Sequence, residues 1–150
     1  VTMKKKKANE LLTAQTNKVL GVQANNIVQT SILPSIILPT VTERTWRKVI
    51  DITGSSWYIF MLSGALFGNA ELSVDIINIR MLNTILINKS RLSTYGGGIP
   101  IGIKYKIEGN NIRVWVESSY VYGTSSLVCL TGNYQPIAIV DTPPADALQL

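Results

Sequence analysis

The chain contains no histidine and a single cysteine, Cys129. These two absences exclude a Ser–His–Asp triad, a Cys–His nucleophile pair, a His-ligated metal, a zinc finger and an internal disulfide. Cys129 lies in the apolar run Leu127-Val128-Cys129-Leu130, the setting of a buried, inert thiol. Acidic residues are also scarce, nine in all, and charged residues make up only 15% of the 150 positions. With 46% hydrophobic residues, that composition excludes intrinsic disorder and fits poorly with a coiled coil. Long apolar runs are missing too. The stretch Ser31–Thr40 is broken by Pro34 and Pro39, and nothing approaches the roughly 18–20 residues of a membrane-spanning helix. No membrane insertion, metal or cofactor is expected. A chain this small, apolar and lightly charged is expected to cover some of its surface with copies of itself.

The net charge of +5 is localised: Lys4–Lys7 supply four of those charges, leaving the rest near neutral. The run reads as a solvated terminal tail, and no nucleic-acid partner is expected. The residues after Lys7 form no continuous apolar segment, so the run does not open a signal peptide.

Aromatic residues are absent before Thr40, and all three tryptophans, six tyrosines and two phenylalanines follow it. A core needs large side chains, so a head domain is expected over 41–150, with a basic tail and shaft or oligomerisation segment over 1–40. Within that first segment Asn9–Gln15 has a helical pattern. The β-branched residues either side of Ala24-Asn25-Asn26 signal a short hairpin, and a heptad reading through Leu12, Val19, Asn26 and Leu33 competes with it. Pro34 and Pro39 read as an extended connection.

From Val41 the chain is a series of short strands. Thr45–Ile52 is followed by a Thr53-Gly54-Ser55-Ser56 turn, and Trp57–Leu62 is apolar on both faces, as in a central or interface strand. Leu72, Val74 and Ile76 alternate with Ser73 and Asp75, so that the apolar set is expected to face the core. Thr84–Ile87 is a further apolar run. Ile99 through Ile107 alternates strictly, turns at Glu108-Gly109-Asn110-Asn111, and returns through Ile112, Val114 and Val116. Leu127–Leu130 and Ile137–Val140 supply two more strands, and Ala145–Leu150 reads as a tail. About seven or eight strands at this spacing predict an all-β fold, an antiparallel β-sandwich or jelly roll.

The candidate chemistry is thin. Glu71 and Asp75 share one strand face but would lie about 13 Å apart, too far for a glycosidase pair. Together with Glu117 they are the acids an enzymatic reading would test first. Gly96-Gly97-Gly98 lacks the Lys and Ser/Thr of a phosphate loop and precedes Ile-Pro, so it reads as an inter-strand loop. No catalytic residue is assigned. Trp46, Trp57 and Phe60 read as core. Trp115 alternates out of phase with Ile112, Val114 and Val116, so it must pack on another chain, a loop or a ligand. Tyr95, Tyr120, Tyr122, Asn133 and Tyr134 lie in loop-like sequence and, with Trp115, are the candidate ligand-binding residues; covering a sandwich end or a subunit interface is the alternative.

The stretch Thr16-Asn17-Lys18-Val19-Leu20-Gly21-Val22-Gln23-Ala24-Asn25-Asn26-Ile27-Val28 resembles a short unit of bacteriophage tail-fibre shafts and collars, which there precedes a C-terminal β-knob. The last 110 or so residues are similar in texture to such a knob. The resemblance implies a homotrimer that is part of the virion tail and, acting outside the cell, adheres to a bacterial surface glycan without enzymatic activity. Other virion tail proteins would be further partners. A collar, baseplate or decoration protein is the structural alternative. The expected subunit interface comprises Val19, Val22, Ile27, Ile36, Ile37 and Leu38, because a single copy would leave the Ile36–Leu38 connector in water.

Overall fold

The computed structural model describes residues 19–22, 28–31, 33–39, 43–66, 71–95, 102–118 and 125–150. It divides into two compact units, Val1–Leu33 and Pro34–Leu150. In the first, β1 (Val19–Val22) and β2 (Val28–Ser31) form an antiparallel hairpin with Val22 opposite Val28. This agrees with the hairpin pattern around Ala24–Asn26. The expected helix at Asn9–Gln15 and the interface candidate Ile27 lie outside the described residues.

The second unit is an all-β sandwich of two five-stranded antiparallel sheets. One has the order β3-β10-β5-β6-β7, from β3 (Ser35–Leu38), β10 (Ser125–Thr131), β5 (Ser56–Leu66), β6 (Glu71–Met81) and β7 (Ile85–Tyr95). The other has the order β11-β4-β9-β8-β12, from β11 (Ile139–Val140), β4 (Thr45–Thr53), β9 (Asn111–Ser118), β8 (Ile103–Glu108) and β12 (Leu148–Gln149). Pairings β3·β10, β4·β9 and β5·β10 wind the two ends of the unit around each other, while β5-β6-β7 is a meander. The β8–β9 hairpin closes through Gly109-Asn110, and Gly109 supplies the left-handed φ of 59° that a two-residue turn requires.

The core lies between the sheets. Phe60, Leu62, Ile77, Ile79, Met81, Leu127 and Cys129 from one face pack on Val49, Ile50, Ile52, Ile103, Ile112, Val114 and Val116 from the other. A bulge in β4 between Lys48 and Ile50 sends both Val49 and Ile50 inward.

Three expectations are corrected. The connector is an edge strand of the head: Ile36 pairs with Leu127 and packs against the core, and Leu38 is 2% exposed within its own chain. Leu38 is therefore core and not interface, because β10 offers it a complete backbone ladder, and the boundary falls at Leu33/Pro34 instead of 40/41. In β6 the phase is reversed, with Ser73, Asp75, Ile77, Ile79 and Met81 buried. The larger residues at its C-terminal end, Ile77, Ile79 and Met81, set the phase for the whole strand. Asp75 is tolerated inside because the Arg91 guanidinium grips it with two hydrogen bonds, 2.8 and 3.0 Å. Lastly, the tail is structural. Leu148 and Gln149 pair with β8, the Leu150 amide donates to the Ile103 carbonyl, and Lys89 Nζ donates to the Leu150 carbonyl.

Candidate functional site

The outer faces of the two sheets differ in chemistry. On the second sheet the alternation of β4, β9 and β8 turns Trp46, Lys48, Arg113, Trp115, Lys104 and Lys106 outward. Strands β11 and β12 sit at opposite edges, so residues 141–147 must cross the three strands between them. The core fills the inner side, and the segment crosses the outer one. Asp141 Oδ2 accepts the Trp115 indole N–H at 3.0 Å, and Asp146 lies 3.1 Å from Lys106 Nζ.

This strap explains Trp115. The residue does point away from the core, as its phase requires, but it is 1% exposed, with Arg113 5.7 Å from its ring centroid. It is therefore not a ligand platform: of the three coverings open to it, a loop of its own chain is the one present. Tyr134 is likewise committed. Its Oη accepts the Asp51 amide N–H at 2.8 Å, and its ring meets Phe60 edge-on at 5.9 Å and Tyr58 at 6.2 Å. Burial, together with the neighbouring Asp51 charge, raises its phenol above the ordinary value. Burial also pushes the Asp51 carboxyl upward, but hydrogen bonds from Lys48 and Asn111 outweigh it and leave the group below its usual range. Asn133 is exposed in the turn after β10. Tyr95 ends β7 opposite Leu72. Tyr120, Tyr122 and the Gly96–Gly98 loop lie outside the described residues. The proposed ligand set is thus not assembled at one place by the described residues.

The acids named for an enzymatic reading do not converge either, as far as they are described. Asp75 is held inside by Arg91, and Glu117 is half-buried on β9 of the other sheet. Among the described residues, no group of three His, Cys, Asp or Glu side chains could hold a metal ion.

A groove of about 620 Å³ opens on the outer face of the first sheet, across β5, β6 and β7 near the β6–β7 turn. Its floor is two cross-strand rows. One is Trp57, Arg80 and Leu86; the other is Thr131, Ile59, Asn78 and Asn88. Trp57 is 66% exposed and Leu86 is 52% exposed. Asn78 Nδ2 donates to Asn88 Oδ1 at 3.0 Å, which leaves one amide oxygen and one amide NH2 facing outward. Outside its strand ladders, the Arg80 side chain makes no ion pair or hydrogen bond among the described residues. Trp57 was expected in the core, and this is the functional candidate that the sequence reading missed. Its phase gives the face once the inward side is known: Phe60 and Leu62 are buried, so Trp57, three residues before Phe60, points outward.

Further along the same face, Val128, Met61 and Ile76 form a half-buried row that ends at Ser35 of β3, and in the next row Ile37, 72% exposed, stands opposite Ser126. Of the expected interface residues in the head, Ile37 alone is exposed. Val19 and Val22 lie in β1.

No protein-family model matches the chain, and no curated protein matches it. Among solved structures it is similar to WceF of Pantoea stewartii, described as a glycan biofilm modifying enzyme with a bacteriophage tailspike-like parallel β-helix fold. The identity is 11% and the TM-score 0.49, covering 88% of this chain and 25% of that one. The chain thus spans about a quarter of the length of that protein, and a likeness this slight carries no argument about function.

Proposed function

We propose that the chain is a non-enzymatic receptor-binding head of a phage tail fibre, acting as a homotrimer and adhering to a bacterial surface glycan. The observation that carries glycan adhesion is the groove centred on Trp57. An exposed indole beside outward-facing amides is suited to a sugar, whose ring faces are apolar and whose edges are hydroxyls. The groove-lining residues include no carboxylate, which supports a holding role over a hydrolytic one. Trimerisation is supported by the exposed Ile37 and the apolar row beside it, which a neighbouring copy would cover. A collar or decoration protein would use the same face against a virion protein, and that is the second reading.

The test is binding of the full chain to a glycan array, compared with Trp57→Ala. Trp57 is largely exposed, so the variant keeps its thermal stability. Glycan binding lost in the variant supports adhesion. Binding that survives Trp57→Ala, or no glycan binding at all, removes it. Co-purification with a virion protein in place of glycan binding would establish the structural reading.

A further inference from the structure

We infer that the Trp57 groove selects an acidic saccharide, with Arg80 as the residue that reads the sugar's negative charge. The inference rests on the adhesion reading above and adds to it the class of glycan. Arg80 stands directly opposite Trp57 in the β5·β6 ladder and opposite Leu86 in the β6·β7 ladder. Side chains directly opposite in an antiparallel pair have Cβ atoms about 5 Å apart. A single sugar ring resting on the indole therefore brings a substituent at its edge within reach of the guanidinium.

Charge decides what that substituent is. The lining of the groove includes one cation and no anion. The acid of β6 nearest the groove in sequence, Asp75, points into the core and is spent on Arg91. Several other cations of the head are already held by acids, Lys48 by Asp51, and Lys106 and Arg113 by Glu108. Arg80, lacking any among the described residues, keeps its planar five-donor fork free to bind a carboxylate through two parallel hydrogen bonds. The Asn78–Asn88 pair leaves one acceptor and one donor beside it, matched to sugar hydroxyls. A nucleic acid is disfavoured because a single arginine cannot neutralise a run of phosphates. An acidic peptide remains as a competing occupant for the experiment to separate.

The experiment uses the full chain on an array of uronate-, sialate- and pyruvate-bearing oligosaccharides printed beside their neutral counterparts. Titrations with the best acidic probe, its neutral counterpart and poly-glutamate follow. The expected result is a preference of roughly tenfold or more for an acidic sugar, the scale of one hydrogen-bonded charge. Arg80→Gln removes the preference while weaker binding of the neutral counterpart persists, and Trp57→Ala removes both. Equal binding of acidic and neutral sugars, or a preference that survives Arg80→Gln, overturns the inference and leaves glycan adhesion standing. Poly-glutamate binding as tightly as the acidic sugar also overturns it, since the groove would then be an anion-attracting protein contact. No saccharide binding at all overturns the inference and the adhesion reading together. Arg80 is exposed, and unchanged thermal melting of Arg80→Gln confirms that the variants report on binding and not on folding.

Discussion

The indole Nε1 of Trp115 donates a 3.0 Å hydrogen bond to Asp141 Oδ2, joining the middle of β9 to the strap that crosses over it. Trp115 is 1% exposed because of that crossing, so the C-terminal residues hold the second sheet shut from outside. Deleting residues 141–150 is expected to destabilise the head and shift tryptophan emission to the red as Trp115 meets water. Asp141→Ala leaves the buried N–H without its acceptor and costs about 1–3 kcal/mol. Denaturant titration followed by fluorescence measures both. An unshifted spectrum in the deletion would show that the strap does not cover the ring.

The Asp75–Arg91 pair is expected to break asymmetrically. Asp75 is 1% exposed while the Arg91 side chain keeps 27% of its surface in water. Arg91→Met strands a buried carboxylate and is expected to cost about 3–5 kcal/mol. Asp75→Asn keeps a hydrogen-bonding side chain inside and removes the charge beside a guanidinium that already reaches solvent, and about 1–3 kcal/mol is expected. The double replacement Asp75→Leu with Arg91→Met recovers most of the loss, as equilibrium unfolding of the four proteins would show. Equal costs for the two single changes would contradict this.

Stability is expected to fall at both ends of the pH scale for named reasons. The folded Asp51 carboxyl lies below its ordinary value of 3.8, so its contribution is complete above that pH and is lost as pH falls through the folded value. The folded Tyr134 phenol lies above 10.0, so above that pH the unfolded chain sheds the proton first and stability declines. Melting temperature against pH should lose part of its acid limb in Asp51→Asn and part of its alkaline limb in Tyr134→Phe. Limbs unchanged in these variants would assign the decline to other groups.

Gly132 has a φ of 87°, and a Cβ built on it would come within 2.6 Å of the Tyr58 ring. Both the left-handed backbone and the ring contact penalise Gly132→Ala, and a loss of about 1–3 kcal/mol is expected. Because Tyr58 stacks with Phe60 and meets Tyr134 edge-on, the near-ultraviolet circular dichroism of the aromatic cluster should change with it. A variant with wild-type melting and spectrum would contradict the contact.

The homotrimer is tested by sedimentation equilibrium of the full chain. Three copies of the 16.5 kDa chain are expected, with Ile37→Lys weakening the assembly by replacing the exposed apolar side chain at the β3 edge with a charge. A mass of one chain would end the trimeric reading.

What the sequence determined by itself is local. The alternation of Ile103 through Ile107 against Ile112 through Val116, with Gly109 between them, specifies a hairpin without reference to any other part of the chain. Enough such units specify an antiparallel sandwich, and the apolar surroundings of Cys129 specify a buried thiol, which is 0% exposed. Tertiary structure decided what covers each strand face. Period two says that a strand has two faces, but not which is buried when both carry apolar residues. The reversal of β6 depended on Arg91, 16 residues beyond Asp75, and the burial of Trp115 on Asp141, 26 residues beyond it. Leu38 joined the core because β10, 87 residues later at Ser125, supplied the ladder for the segment between the two prolines. No segment of this kind crosses Trp57 among the described residues. Coverage is a contact between segments distant in sequence, and only the folded chain brings them together.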